Sequence, residues 1–224
     1  MPGVRYKYQT IELAEQDYHL KTLRDTQQCP DDIHTATTFG VSSATWPLAG
    51  VLWQAEELLS RLMVTQPIKN LRILEVGCGT ALASLVLKRR GADITATDHN
   101  PEAGVFLSTN TELNDLPPIH CECMNWHDIT PGFGRFDLII GSDLLYDRHN
   151  LDPLVRFIQQ HAADTSTLIF VDPKRGLTRR FSRALEDIGY SVTSEATEHA
   201  QQHAPPADFL VLRCERSPLP VDRS

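Results

Sequence analysis

The sequence is poor in the features that define several classes of protein. No run of about 18 or more uncharged apolar residues is present, so no segment is expected to cross a bilayer. The opening MPGVRYKYQT also lacks the apolar stretch of a secretory leader. Cysteine is scarce and odd in number, with five scattered at Cys29, Cys78, Cys121, Cys123 and Cys214 along 224 residues, a length that needs no disulfide staples. A soluble, cytoplasmic protein with reduced thiols is the expectation. The C-x-C of Cys121 and Cys123 has no second pair and no histidines at zinc spacing, which makes it alternation on a strand and leaves no metal site. Positive charge is short as well: 21 Lys and Arg against 29 Asp and Glu give a net charge of −8, against a broad nucleic-acid surface. The one dense basic cluster, Lys174, Arg175, Arg179, Arg180 and Arg183, reads as the solvated face of a helix. His99, His127 and His149 flank loops without forming a metal trio and read as solvated.

What remains, 41% hydrophobic and 22% charged, suits one compact domain. YKYQTIELAEQDYHLKTL, residues 6 to 23, alternates on both sides of Ala14 to Asp17 and predicts a β-hairpin. The Thr-, Ser-, Pro- and Gly-rich stretch from Cys29 to Gly50 predicts an irregular connection able to wall a site. LWQAEELLSRLM, Leu52 to Met63, puts Leu52, Ala55, Leu58, Leu59 and Leu62 on one helical stripe. Beyond Pro67, strands and helices alternate. LRILEV precedes a helix from Ala81 to Arg90, and DITATD one from Pro101 to Asn114. IHCECM precedes a loop, FDLIIGSD a helix from Leu151 to Ala162, and TLIFVD one from Leu177 to Ile188. This is an α/β pattern: a Rossmann-like, seven-stranded, mostly parallel sheet with helices on both faces. YSVTSEA and DFLVLRC follow with no helix between them, so the last strand is antiparallel. The expected plan is residues 1–45 as hairpin and connecting loop, 46–216 as the α/β domain and 217–224 as a short tail.

The chemistry gathers around LEVGCGT. Gly77 and Gly79, just past an apolar strand, allow a sharp turn and close approach of a ligand, with Cys78 a small passenger between them and no nucleophile. A dinucleotide fingerprint wants a third small residue at position 82, which is Leu. Glu75 before the turn repels a pyrophosphate and attracts a cation or an amino group, and S-adenosylmethionine carries both without phosphate. Asp98, 19 residues past Gly79 at the end of the second strand, is placed to accept from ribose hydroxyls; it or Asn100 can also cap the helix at Pro101.

ILEVGCGTALASLVLKRRGADITATD resembles the first two motifs of class I S-adenosylmethionine-dependent methyltransferases. LWQAEELLSRL, MNWHD and GSDLLYD extend the likeness, from Trp53 to Asp172, to methyltransferase family 16, the seven-β-strand protein lysine methyltransferases with a D-x-x-Y motif. The resemblance makes 46–216 a class I methyltransferase domain, S-adenosyl-L-methionine its cofactor and a protein lysine its acceptor. It implies that Trp53 lines the cofactor pocket, with Gln54 where the family has proline and Trp46 a rival for the role. Asn125 and Trp126 would meet the adenine, and Ser142 would lie beside the cofactor. Asp143 and Tyr146 would form the catalytic pair, Asp143 orienting the incoming cation and Tyr146 aligning the amine, neither an obligatory general base. A lysine amine costs roughly 4–5 kcal/mol to deprotonate at neutral pH, and burial against aromatic walls meets part of that. Plainer readings stand beside these: Trp126 and Tyr146 as core, Asp143 as a helix cap, Asp172 and Pro173 as a turn. A small-molecule amine methyltransferase and a non-catalytic, cofactor-binding assembly factor are the alternative functions. A nucleic-acid methyltransferase of the N-P-P-Y type is disfavoured, because that place reads SDLL. The chain is taken as a monomer by default.

Overall fold

The structure is a computed structural model describing residues 4–28, 37, 40–128, 132–199 and 205–217. Cys29, residues 218–224 of the tail and part of the HAQQHAPP connection lie outside the described residues. The hairpin forms as expected from β1 (Tyr6–Leu13) and β2 (Gln16–Leu23). Ala14 and Glu15 between them both have positive φ, 48° and 62°, as a two-residue turn matched to strand twist requires. A 3₁₀ turn at Trp46–Gly50 leads to α1 (Gln54–Thr65). That helix starts later than the apolar stripe suggests because Trp53 is still extended, with ψ at 150°.

The alternation that follows is β3 (Arg72–Val76), α2 (Leu82–Arg89), β4 (Asp93–Asp98), α3 (Pro101–Leu113), β5 (His120–Cys123) and β6 (Phe136–Ser142). Then come α4 (Leu151–His161), β7 (Ala162–Pro173), α5 (Thr178–Asp187), β8 (Ser191–His199) and β9 (Ala207–Arg216). At α3, Asn100 caps the helix by accepting from the Glu102 amide at 3.1 Å, with Pro101 at the first position, where no amide is needed.

The seven-stranded sheet has the order β5-β4-β3-β6-β7-β9-β8. Strands β5 through β7 pair in parallel, and β9 is antiparallel to both its neighbours. Alternate residues of the central strands serve two cores. Ile73, Leu138, Ile140 and Ile169 pack with α1 and α2, and Leu74, Ile139, Leu168 and Phe170 pack with α4 and α5. Leu13, Tyr18 and Leu20 bring the hairpin into the first of these cores. The unpaired edge of β2 is met by side chains of α3. Asn110 accepts from the Lys21 amide at 2.7 Å, and Asn114 both accepts from and donates to the backbone of His19. Because β3 runs on to β4 on one side while β6 lies on the other, the crevice past the carboxyl ends of β3 and β6 is the topological switch point.

Candidate active site

A cavity of about 280 Å³ opens at that crevice. One end is built by the turn after β3. Gly77 and Gly79 have φ of 64° and 52°, which favours glycine at both, and a Cβ on Gly77 would in addition meet Leu144 Cδ2 at 2.4 Å. The turn is held from outside: Cys78 N–H donates to the Thr97 carbonyl at 3.0 Å, and Gly79 N–H donates to Asp98 Oδ2 at 3.0 Å. Asp98 Oδ1 accepts from the Asn100 amide and lies 3.5 Å from His99 Nδ1, which raises the imidazole's pKa.

Trp53, Gly77, Gly79, Asp98, Trp126, Ser142, Asp143 and Tyr146 all line this cavity. Trp53 is the wall, its indole N–H held by the Leu48 carbonyl at 2.9 Å, while Trp46 is buried with Leu23, Val41 and Phe106 and is not a rival. Three predicted cofactor residues stand back. Glu75 is buried and accepts from the Ser84 hydroxyl, facing α2 and not the ligand space. Asn125 spends its side chain on the His127 amide at 3.1 Å. Cys78 packs among Ala81, Ala96 and Leu107, and hydrogen bonding with Cys121 followed by burial pushes its thiol well up, as suits an inert passenger.

At the other end the chain leaves β6 through Asp143, whose φ of 54° is left-handed and whose amide donates to the Val171 carbonyl at 2.8 Å. Its carboxylate is clasped at both oxygens by the guanidinium of Arg175. Arg175 lies ahead of α5 and lines the cavity, so its place in a solvated helix face is corrected; Arg180 does lie on α5, paired with Asp152. Asp172 is buried in β7 and accepts the Leu145 amide at 3.1 Å, which ties the acceptor loop to the sheet; burial pushes its pKa up to about 6. Tyr146 is 47% exposed, so it is no core residue, and Asp143 caps no helix: Asp147 and Asn150 lead into α4. Burial of the phenol hydroxyl, with Asp98, Asp147 and Asp143 nearby, pushes the Tyr146 pKa up and keeps it protonated.

Sequence reasoning missed two groups. His99, in the loop after β4 with its side chain 41% exposed, also lines the cavity. Glu56, in the first turn of α1, is 3% exposed at the cavity wall, accepting from the Thr80 hydroxyl at 2.7 Å and the Leu82 amide at 2.8 Å. Burial first, and Glu75 second, push its pKa up to about 8. An acid in the first turn of a helix is commonplace, which is why the sequence carried no signal for it.

A doubly wound sheet with a glycine turn after its first core strand and an acid at the end of the second defines a nucleotide-binding α/β fold. Magnesium protoporphyrin IX methyltransferase from Synechocystis PCC 6803, solved with bound SAM, superposes over 73% of this chain and 79% of its own at a TM-score of 0.58 and 18% identity. The profile of the lysine methyltransferase family, methyltransferase family 16, matches residues 32–187, and the chain belongs to that family. The electron transfer flavoprotein beta subunit lysine methyltransferase of Mus musculus is 29% identical over 138 residues, 58% of this chain and 53% of that protein. Protein N-lysine methyltransferase METTL21A of Danio rerio is 29% identical over 133 residues, 55% of this chain and 60% of that protein. The chain thus matches only about half the length of these curated relatives.

Proposed function

We propose that this chain transfers a methyl group from S-adenosylmethionine to a lysine ε-amine of a protein in the cytoplasm. The observation that carries this reading is a single cavity with two chemically different ends: the glycine turn and Asp98 at one, Asp143 and Tyr146 at the other. The residues suit this cofactor. Acceptors of hydrogen bonds and carboxylates surround the glycine turn, and among the described residues the one lysine or arginine lining the cavity is Arg175, which is taken up by Asp143 at the other end. Trp53, Gly77, Gly79, Asp98, Trp126 and Ser142 would hold it, and when bound it supplies an activated methyl on a sulfonium. Glu75, Cys78 and Asn125 would act from behind, by shaping the turn and the Trp126 loop.

Asp143 already holds a guanidinium, so its carboxylate is suited to receive a side-chain cation from outside. Entry of a lysine would exchange one cation for another and lay the amine beside the Tyr146 hydroxyl, which stays protonated and can only align it. In-line transfer then depends on placement. A half-exposed tyrosine at the acceptor end favours a side chain delivered from solvent over a small molecule enclosed on all sides.

The test is label transfer. Purified protein with methyl-labelled cofactor is incubated with extract of cells lacking it, and modified proteins are mapped by mass spectrometry. New methyl-lysine on a protein is the expected result; label found only in small organic molecules would overturn the protein substrate.

A further inference from the structure

Two carboxyl groups hold the turn that runs from Gly77 to Thr80, Glu56 from α1 and Asp98 from β4, and a third, Glu75 of β3, lies behind it against Ser84. All three are buried or nearly so, at 3%, 2% and 9% exposure. Among the described residues, no lysine, arginine or histidine forms an ion pair with Glu56 or Glu75, and Asp98 has only His99. Burying that much uncompensated acid is costly, and the cost is met either by protonation or by a cation brought from outside.

The geometry says where such a cation would sit. Glu75 is turned away toward Ser84, and the carboxylate of Asp98 is taken up by the amides of Gly79 and Asn100. Glu56 accepts from Thr80 and Leu82 at Oε1, and the Trp53 amide also bonds its carboxylate, while Oε2 lies toward Gly79. A Cβ built on Gly79 would lie 4.0 Å from Glu56 Oε2 and 3.5 Å from the carbonyl oxygen of Ala49. Two oxygen acceptors from different elements therefore converge on the space that the missing side chain leaves open, and Ala49, Glu56 and Gly79 all line the cavity.

We propose that Glu56, with the Ala49 carbonyl, binds the α-ammonium group at the amino-acid end of S-adenosylmethionine, and that Gly79 is glycine to leave room for it. The inference rests on the cofactor reading above. Glu56 then does two jobs with its two oxygens: Oε1 caps the start of α2, and Oε2 takes the ligand. Burial and Glu75 raise the affinity of Glu56 for a proton, and a cation at Oε2 would offset both.

The amide of Glu56→Gln keeps an oxygen for Thr80 and Leu82 and removes the charge. Calorimetry would compare wild type and E56Q with three ligands: S-adenosylhomocysteine, its deaminated analogue, and 5′-methylthioadenosine, which has no amino-acid end. E56Q should bind S-adenosylhomocysteine about tenfold to a hundredfold more weakly and 5′-methylthioadenosine as wild type does. The deaminated analogue should bind wild type and E56Q alike. Unchanged affinity for S-adenosylhomocysteine in E56Q would overturn the proposal, as would an equal loss for all three ligands, which would mark Glu56 as a support for the turn only. Should E56Q fail to fold, the wild type still decides: deamination of the ligand must weaken its binding by a similar factor. Binding of none of the ligands by wild type would instead sink the cofactor reading itself.

Discussion

Asp143 combines a left-handed backbone, φ 54°, with a carboxylate already clasped by Arg175. A non-glycine residue in that region costs on the order of 1–3 kcal/mol and persists where the surroundings hold it, here through the Asp143 amide on Val171 and the Leu145 amide on Asp172. Asp143→Asn keeps the backbone bonds and removes the charge that would receive a lysine, so kcat/KM for the protein acceptor should fall about a hundredfold while the affinity for S-adenosylhomocysteine stays the same. Steady-state kinetics with calorimetry on the same sample checks both halves, and an equal loss of cofactor binding would place Asp143 at the wrong end of the cavity. Gly77→Ala tests the other end. It forces φ 64° on an L-residue and drives a Cβ into Leu144, so it should lower stability by about 1–2 kcal/mol and weaken S-adenosylhomocysteine in parallel, read by denaturant melts and calorimetry. Much of this end was legible in LEVGCGT and Asp98, because glycine and a strand-end acid have few other reasons to stand together. Glu56 and Arg175 were not, because their roles depend on which distant elements they meet, across 26 residues to Leu82 and 32 residues to Asp143.

The hairpin shows the same division at the level of elements. Its existence follows from alternation alone, and its turn lies where the pattern reverses, at Ala14 and Glu15. Its docking does not, because the free edge of β2 is satisfied by two asparagines spaced four apart on α3, and asparagine in a helix usually reads as a surface choice. Asn110 is fully buried and bridges two elements: it accepts from Lys21 N–H at 2.7 Å and donates to the Thr80 carbonyl at 3.0 Å, the last residue of the glycine turn. The N-terminal hairpin is thereby joined to the wall of the cavity through one side chain. Asn110→Ala should destabilise the protein by about 1–3 kcal/mol, leaving the part-buried Lys21 amide and the buried Thr80 carbonyl without that partner. Hydrogen exchange should speed up at the Lys21 amide more than in the central strands β3 and β6; uniform exchange across the sheet would mean that the hairpin has no separate hold on α3. Helix ends were less legible than helices, and α1 illustrates the cause: its apolar stripe begins at Leu52 but Trp53 must stay extended to present its ring to the cavity.

At the scale of the whole molecule, the acids beneath the glycine turn make stability and ligand binding two sides of one equilibrium. Glu56 is raised to about 8 and Glu75 to about 7, each from 4.5 and each by burial first. Where a carboxyl's pKa is higher in the folded state than in the unfolded one, the folded state holds more protons between those two values, and stability falls as pH rises through that window. The protein without ligand should therefore melt highest near pH 5 and lose stability steadily up to about pH 8, Asp172, raised to about 6 from 3.8, adding to the early part of the fall. His99, raised beside Asp98, contributes the same sign, since its charged form is the one the fold favours. A bound cation at Glu56 changes this balance: the ionised carboxylate gains a partner, its folded pKa drops toward the unfolded value, and the slope above pH 6 should flatten with saturating S-adenosylhomocysteine. Thermal melts across pH 5 to 8.5, with and without that ligand and repeated on Glu56→Gln, measure all of this. A melting temperature that is flat or rises over that range in the unliganded wild type would mean that Glu56, Glu75 and Asp172 keep their ordinary pKa values and that the turn is stabilised by something other than a waiting counter-charge.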